Sequence, residues 1–200
     1  MLVLGAGLSA ERVAASLRPG AVRVIAINRS HELVPWAEVL YAADAGFWRQ
    51  YATARAFKGW KFSADRHARY MDASVYPVNI GRHPRTGIRL SEMIRGPVGT
   101  VGYGGNSGFQ SVNLAAQFGA SRILLCLDYQ GSHWHEDHPN TLRNPTSDQL
   151  AAWSKALDEQ APILASWGIE VLNVSPTSVL KAYQYADSSL FNKDECSLPA

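Results

Sequence analysis

The chain opens on Met-Leu-Val-Leu-Gly-Ala-Gly-Leu-Ser-Ala, residues 1–10, and this stretch decides the fold. The apolar run Met1–Leu4 predicts a short buried strand, and Gly5-Ala6-Gly7 predicts the tight turn that ends it. Ser9–Leu17 then has apolar residues at helical spacing and stops at Pro19-Gly20. The chain therefore begins with a strand, a glycine turn and a helix.

Two further strands follow in the first fifty residues. Val22–Ile27 is a β-branched run that ends at Asn28-Arg29-Ser30, and Val39–Ala42 is a short run that ends near Asp44. The order βαβαβ predicts an α/β protein with a Rossmann-like, doubly wound and mostly parallel sheet.

The second half continues the alternation of helices and strands. Its predicted elements are a helix over Phe109–Phe118, a strand over Ile123–Leu127, one long helix over Asp148–Trp167, a strand over Ile169–Val174 and a short helix over Pro176–Tyr183. We expect one nucleotide-binding domain over residues 1–200, with a lid at roughly 129–150.

Composition limits the class of protein. The 200 residues are 46% hydrophobic and 18% charged, and the net charge of +2 is too small to indicate nucleic-acid binding. Cys126 and Cys196 give no disulfide framework. The start has no basic signal-peptide region, and no apolar stretch reaches the ~18 residues of a membrane helix. We expect a cytoplasmic protein without a membrane span.

The first glycine turn matches a nucleotide fingerprint. Gly5-x-Gly7-x-x-Ala10 follows a strand and opens a helix, where backbone N–H groups can approach a phosphate. Asn28-Arg29-Ser30 replaces the usual acidic residue after the second strand, and Arg29 suits a 2′-phosphate. An NADP-dependent oxidoreductase is therefore one alternative, and a tight turn without ligand is another.

A second glycine-rich turn precedes the helix at Phe109. In Gly104-Gly105-Asn106-Ser107-Gly108, either Asn106 or Ser107 can cap that helix. Two such turns in one sheet favour a shared anion or nucleotide crevice.

Three of the six histidines lie together in Gly131–Asn140. His133, His135, Asp137 and His138 match the His-x-His-x-Asp-His pattern of metallo-β-lactamases, but no histidine follows His138, and the βαβαβ start replaces the β-sandwich of that superfamily. A dinuclear hydrolase is therefore disfavoured. A mononuclear metal site, a single histidine acting as acid or base, and solvated loop histidines remain open.

The first half resembles a family of bacterial glycosyltransferases. Leu2–Ser9, Val24–Asn28 and Val39–Asp44 resemble the first three strands of the lipooligosaccharide sialyltransferases and of related flagellin-glycosylation proteins and archaeal hydroxymethyl-dihydropterin pyrophosphokinases. Within this group the second strand ends in a nucleotide-binding Asn, here Asn28. Ala6 stands where the sialyltransferases have a nucleotide-contacting Asn.

The second half is similar to the same group. Asn106-Ser107-Gly108 resembles the Thr-Ser-Gly helix start under the nucleotide, and Ile123–Tyr129 resembles a strand ending in Gly-x-Asp-Phe/Tyr. Gly131–Asn140 corresponds to the lid, and Lys155–Tyr183 to the closing helix, strand and Pro-x-Ser-x-Leu segment. The short form of the chain looks most like bacteriophage and prophage members.

The resemblance implies transfer of a glycosyl group from a nucleotide-linked donor, CMP-sugar or another NDP-sugar, to a hydroxyl acceptor. The implied general base is His138, with His135 as its rival, and Asp128 would orient the acceptor or bind a metal. The implied nucleotide-binding residues are Gly5, Ala6, Gly7, Asn28, Asn106, Ser107, Gly108 and Tyr129.

Other functions remain open. A pterin-type pyrophosphokinase would need ATP and Mg²⁺ and would rely on Asp44 and Asp128 as metal ligands. A non-catalytic, nucleotide-binding phage protein is a further alternative. The acceptor could be a glycan, a protein or modified DNA, and we include a homo-oligomer among the expected assemblies.

Overall fold

The strands are short and mostly apolar. The computed structural model describes residues 1–138, 142, 144–187 and 190–191. Its strands are β1 Leu2–Leu4, β2 Val24–Ile27, β3 Val39–Tyr41, β4 Trp60–Ser63, β5 Val75–Pro77, β6 Asn79–Ile80, β7 Thr100–Val101, β8 Arg122–Cys126, β9 Glu170–Asn173 and β10 Gln184–Tyr185.

Eight of these strands form one parallel sheet in the order β10-β9-β8-β1-β2-β3-β4-β5. The other two strands, β6 and β7, form a small parallel sheet of their own. Leu2 pairs with Val24 on one side and with Leu124 on the other. The chain therefore reverses its direction of winding between β1 and β8. Open α/β sheets bind ligands at such a switch point, outside the carboxyl ends of the strands.

Helices cover both faces of the sheet. They are α1 Ala10–Ala15, a 3-10 helix Asn28–Glu32, α2 Ala45–Gln50, α3 Ala52–Ala56, α4 Ala68–Met71, α5 Ser107–Gln117, α6 Ser147–Asp158 and α7 Ala161–Ser166. Leu2 and Leu4 pack with Val13 in one core, whereas Val3 packs with Val112 in the other. Burial on both faces explains why β1–β3 are apolar at consecutive positions rather than alternating.

The predicted α/β, doubly wound and parallel fold is confirmed. Within the described ranges, no helix is long and apolar enough to cross a membrane.

The predicted helix over Asp148–Trp167 is wrong as a single element. It is divided into α6 and α7 at Glu159-Gln160. Pro162 lies in the first turn of α7. There its missing N–H costs nothing, whereas in the middle of a long helix it would remove a hydrogen bond.

The predicted helix over Pro176–Tyr183 is also wrong, because this segment forms turns. Several of its polar groups bond to other elements rather than in a helical pattern. The Ser178 hydroxyl donates to the carbonyl of Leu127 at 2.6 Å, and the N–H of Lys181 donates to Asp158 at 3.1 Å.

Candidate functional site

A cavity of about 970 Å³ opens at the carboxyl edge of the sheet. The turns after β1 to β4, the start of α5 and the loop after β8 line it. The sequence-predicted residues that line it are Gly5, Ala6, Gly7, Asn28, Asp44, Asn106, Ser107, Gly108, Asp128, Tyr129 and His138. His135 and two further candidates of the sequence analysis, Arg29 and Asp137, do not line it. Residues that are distant in sequence thus meet at one cleft.

The glycines after β1 have close protein neighbours. A Cβ atom on Gly7 would lie 2.7 Å from Cγ of Asp128, and one on Gly5 would lie 3.0 Å from the carbonyl oxygen of Cys126. The Ser30 hydroxyl donates to the Gly5 carbonyl at 2.7 Å. Because they have no Cβ atom, the two glycines let the turn approach the end of β8, irrespective of any ligand.

Asp128 connects three segments of the chain. Its side chain is 3% exposed, and its Oδ2 accepts the Ser9 N–H at 2.8 Å. The Ser175 hydroxyl donates to Oδ1, and the Val179 N–H donates to the Asp128 carbonyl at 3.1 Å. Both carboxylate oxygens thus have protein partners, so Asp128 holds β8, α1 and the segment after β9 together.

Two residues of the cleft have a left-handed backbone. Asn28 ends β2 with φ 51°, and Tyr129 follows β8 with φ 53°. They are the only non-glycine residues with positive φ in the described part of the chain. Such strain concentrates at functional sites. The Tyr129 hydroxyl donates to Oδ1 of Asn106 at 3.0 Å, and burial raises the pKa of this phenol.

The N-terminus of α5 faces the cavity. Asn106 caps the helix, because its Oδ1 accepts the Phe109 N–H at 3.0 Å. Ser107 Oγ accepts the Ala43 N–H at 3.2 Å, which leaves its hydroxyl hydrogen for another partner. The first N–H groups of a helix have no partner within it, and its dipole favours anions there.

A carboxylate pair lies on the β3–β4 side of the cleft. Asp44 is at the N-cap position of α2 but makes no capping bond, and burial, together with the charge of Asp65, raises its pKa. Asp65 accepts the Ala45 N–H at 3.3 Å and contacts Nδ1 of His67 at 2.9 Å. The sequence prediction paired Asp44 with Asp128 and missed Asp65. Asp65 follows β4 as Asp44 follows β3, so the same strand-end signal could have identified it.

The histidine loop is attached to the glycine turn. Gly7 and His133 form an antiparallel bridge, and the Trp134 N–H donates to the Ala6 carbonyl at 3.0 Å. Ala6 therefore binds this loop through its backbone. Pro139, Asn140, Thr141 and Arg143 of the predicted lid lie outside the described residues.

The three histidines of this loop form a compact cluster. The ring centroids of His133 and His135 are 4.8 Å apart with nearly parallel planes, and each lies 5.0 Å from the His138 centroid. Burial lowers the pKa of all three. Burial and the two neighbouring rings lower the pKa of His138 to about 4. The cluster is therefore uncharged at neutral pH.

Arg29 packs beside this cluster and away from the cavity lining. Its guanidinium lies 5.5 Å from the ring centroids of both Tyr51 and Trp134 and forms an ion pair of 2.7 Å with Glu32. The guanidinium is therefore held by Glu32 and does not line the cavity.

Comparison of the chain with family models, with curated proteins and with solved structures finds no match. The resemblance to the sialyltransferase group therefore stays a prediction, and the geometry of the cleft is what supports a function.

Proposed function

We propose that the protein binds a nucleotide-linked donor in this cleft and transfers the donor's group to a hydroxyl acceptor. One observation supports this most: a single cavity joins the N-terminus of α5 and the strand-end turns to the histidine loop. A donor could thus be bound at one end of the cleft and react at the other.

The cleft has the size and chemistry that a nucleotide needs. Its 970 Å³ is at the upper end of the range for small-molecule sites. The helix N-terminus and the Ser107 hydroxyl suit a phosphate, and the Asn28 amide suits a ribose or base. We place the phosphates at α5 and the nucleoside toward β2.

The transfer step forms a bond from the acceptor oxygen to the donor carbon. The bond from that carbon to the phosphate oxygen breaks, and the nucleotide leaves with the electron pair. The N-terminus of α5 would stabilise the charge on the leaving phosphate. The acceptor proton would leave toward the histidine loop, where His138 lines the cavity and His135 does not.

A second candidate function rests on the carboxylate pair. Asp44 and Asp65 both line the cavity and could hold Mg²⁺ for a pyrophosphokinase. This function requires ATP and a metal, which distinguishes it from donor binding through α5.

Calorimetric titration with CMP, UDP, GDP, ATP with and without Mg²⁺, and NADPH tests the proposal. We expect binding of at least one of CMP, UDP and GDP without Mg²⁺. Binding of ATP only with Mg²⁺ would favour the pyrophosphokinase, and exclusive NADPH binding would favour an oxidoreductase. No binding by any of them would overturn the proposal.

Asn28→Gly tests the placement of the nucleoside. Glycine adopts φ 51° without strain, so this change removes the amide and keeps the backbone. We expect roughly tenfold weaker nucleotide binding for one lost hydrogen bond, and unchanged folding. Asn28→Ala should lose the same affinity and also stability, by about 1 kcal/mol, because alanine is strained at this φ. Full affinity in the glycine variant would remove Asn28 from the site.

A further inference from the structure

We propose that His133, His135 and His138 together bind one divalent transition-metal ion, with Zn²⁺ as the best fit. This inference concerns the cluster itself and does not depend on a nucleotide in the cleft.

The cluster has nearly the spacing of a metal site. One ring nitrogen from each of the three histidines lies within 4.8 Å of the other two. Zinc–nitrogen bonds of about 2.0–2.1 Å in a tetrahedron place the nitrogens about 3.4 Å apart. Side-chain rotations that move each ring nitrogen by about an ångström would therefore bring the three nitrogens to this spacing.

Two buried ring nitrogens of the cluster have no hydrogen-bond partner. His135 Nδ1 lies 2.6 Å from the Glu136 carbonyl, which can only accept, so Nδ1 must hold the hydrogen. His135 Nε2 then presents a lone pair, and this atom is buried and unpartnered within the described residues, as is His133 Nδ1. Burying a polar atom without a partner is unfavourable, and a metal ion would satisfy both nitrogens.

The third histidine is oriented by a neighbour. Nδ1 of His138 lies 2.8 Å from the Tyr51 hydroxyl, which leaves Nε2 as the nitrogen available to a metal. Hydrogen bonds of this kind fix the ring orientation of histidine ligands in metal sites.

The backbone holds the other two histidines in place. The Gly7–His133 bridge and the hydrogen bond from the Trp134 N–H to the Ala6 carbonyl attach residues 133 and 134 to the glycine turn. The chain bends at Trp134 and His135, and the rings of His133 and His135 stack with their planes 6° apart, so both lie on the same side of the loop.

The surroundings fit a metal with an open position. Three imidazoles suit Zn²⁺ among the transition metals and leave a fourth position, as in catalytic zinc sites. His133 and His138 line the cavity, so a metal held between them would lie at its wall. The charge of Arg29 is balanced by Glu32, and the exposed Asp137 adds a negative charge near His133 and His138.

With the metal bound, His138 is a ligand and is not free to act as the general base, so the acceptor proton of the proposed transfer would pass to water in the cleft. The proposal thus replaces the assignment of His138 as general base. It also makes His135, which does not line the cavity, a metal ligand.

The test uses the full-length chain without an affinity tag, dialysed against a chelator and then titrated with Zn²⁺ against a chromophoric competitor. We expect one zinc per chain. Cobalt in place of zinc should give the visible absorption of a tetrahedral site. Absence of bound zinc at stoichiometric excess overturns the proposal.

Variants assign the site. Loss of a hydrogen bond to a metal ligand typically costs ~10–100-fold in metal affinity. His135→Ala and His138→Ala remove a ligand itself, so each should cost more than about 100-fold. The matched control is His83→Ala, an exposed histidine outside the cluster, which should bind zinc as the wild type does. His135→Gln, which preserves more of the side-chain volume, replaces the alanine variant if circular dichroism shows that it does not fold. Wild-type zinc affinity in the folded cluster variants would refute the assignment.

Nucleotide titrations of the chelator-treated protein separate this inference from the proposed function. Zinc binding without nucleotide binding would refute only the proposed function. Nucleotide binding without zinc binding would refute only the metal site.

Discussion

Asp128 and Asp44 show how far the surroundings of a residue decide its role. Both follow a strand and both line the cleft, yet Asp128 has a hydrogen bond to each oxygen whereas Asp44 faces another carboxylate. Asp128 therefore stabilises the fold through its hydrogen bonds, and Asp44 is available to a ligand.

Asparagine substitutions at these two positions should separate stability from binding. Asp128→Asn places an NH₂ group against donors and should lower the free energy of unfolding by about 1–3 kcal/mol. Asp44→Asn removes repulsion from Asp65, so it should leave stability unchanged within about 0.5 kcal/mol or raise it slightly. Urea denaturation of both variants measures this. Equal losses in the two would contradict the structural role of Asp128.

Sequence patterns could locate strand-end residues but not their partners. Asn28, Asp44 and Asp128 were predictable because parallel strands end at one edge of the sheet. Tyr51 was not, since it meets His138 across 87 positions of sequence in a contact that no local pattern records. For the same reason, the chain alone favoured a single catalytic histidine and left a mononuclear metal site as an alternative.

Among the elements, α6 has the best-defined start. Thr146 accepts the Gln149 N–H at 3.2 Å, and the Gln149 side chain accepts the Thr146 N–H at 3.0 Å. This capping box fixes where the helix begins after the histidine loop.

Thr146→Ala should destabilise the protein by about 1 kcal/mol, because it removes the acceptor of the capping bond. Thr146→Ser keeps that oxygen, and because serine ranks at least as high as threonine at helix N-caps, it should leave the free energy of unfolding unchanged within about 0.5 kcal/mol. Thermal or urea unfolding compares the two variants with the wild type. A serine variant as unstable as the alanine variant would show that the hydroxyl is not the source of the effect.

Helices were predictable where the chain gives both a periodic pattern and an end signal. The two failures, at residues 148–167 and 176–183, have different causes. In the first, Pro162 interrupts a continuous apolar period. In the second, tertiary bonds such as that from Ser178 to Leu127 replace those a helix would make.

At the scale of the whole molecule, we expect uncharged buried histidines to make the fold sensitive to acid. His31 is 3% exposed, its Nδ1 lies 2.7 Å from the Asn28 carbonyl, and burial lowers its pKa. Burial also lowers the pKa of the three histidines of the cluster. Since the unfolded chain binds protons more readily at these groups, its population grows as the pH falls.

In the presence of a chelator, the free energy of unfolding should be constant above pH ~6.5, the ordinary histidine pKa, and decrease below it. Each proton taken up on unfolding contributes a slope of about 1.4 kcal/mol per pH unit. His31→Asn, which can still donate to the Asn28 carbonyl, should reduce the slope, and His83→Ala should not. The interval from pH 7 to about pH 5 includes the ordinary histidine pKa. A free energy of unfolding that does not change over this interval would contradict the burial of neutral histidines.

The backbone bridge between Gly7 and His133 has an energetic consequence for the whole protein. It connects the turn at the proposed nucleotide end directly to the loop that holds the proposed metal ligands. We expect a ligand that shifts the glycine turn to shift the histidine loop as well, so that nucleotide and zinc bind cooperatively. Thermodynamic reciprocity then requires that zinc change nucleotide affinity by the same factor by which nucleotide changes zinc affinity. Two titrations, each repeated with the other ligand at saturation, measure that factor, and a value of one would mean that the bridge transmits nothing.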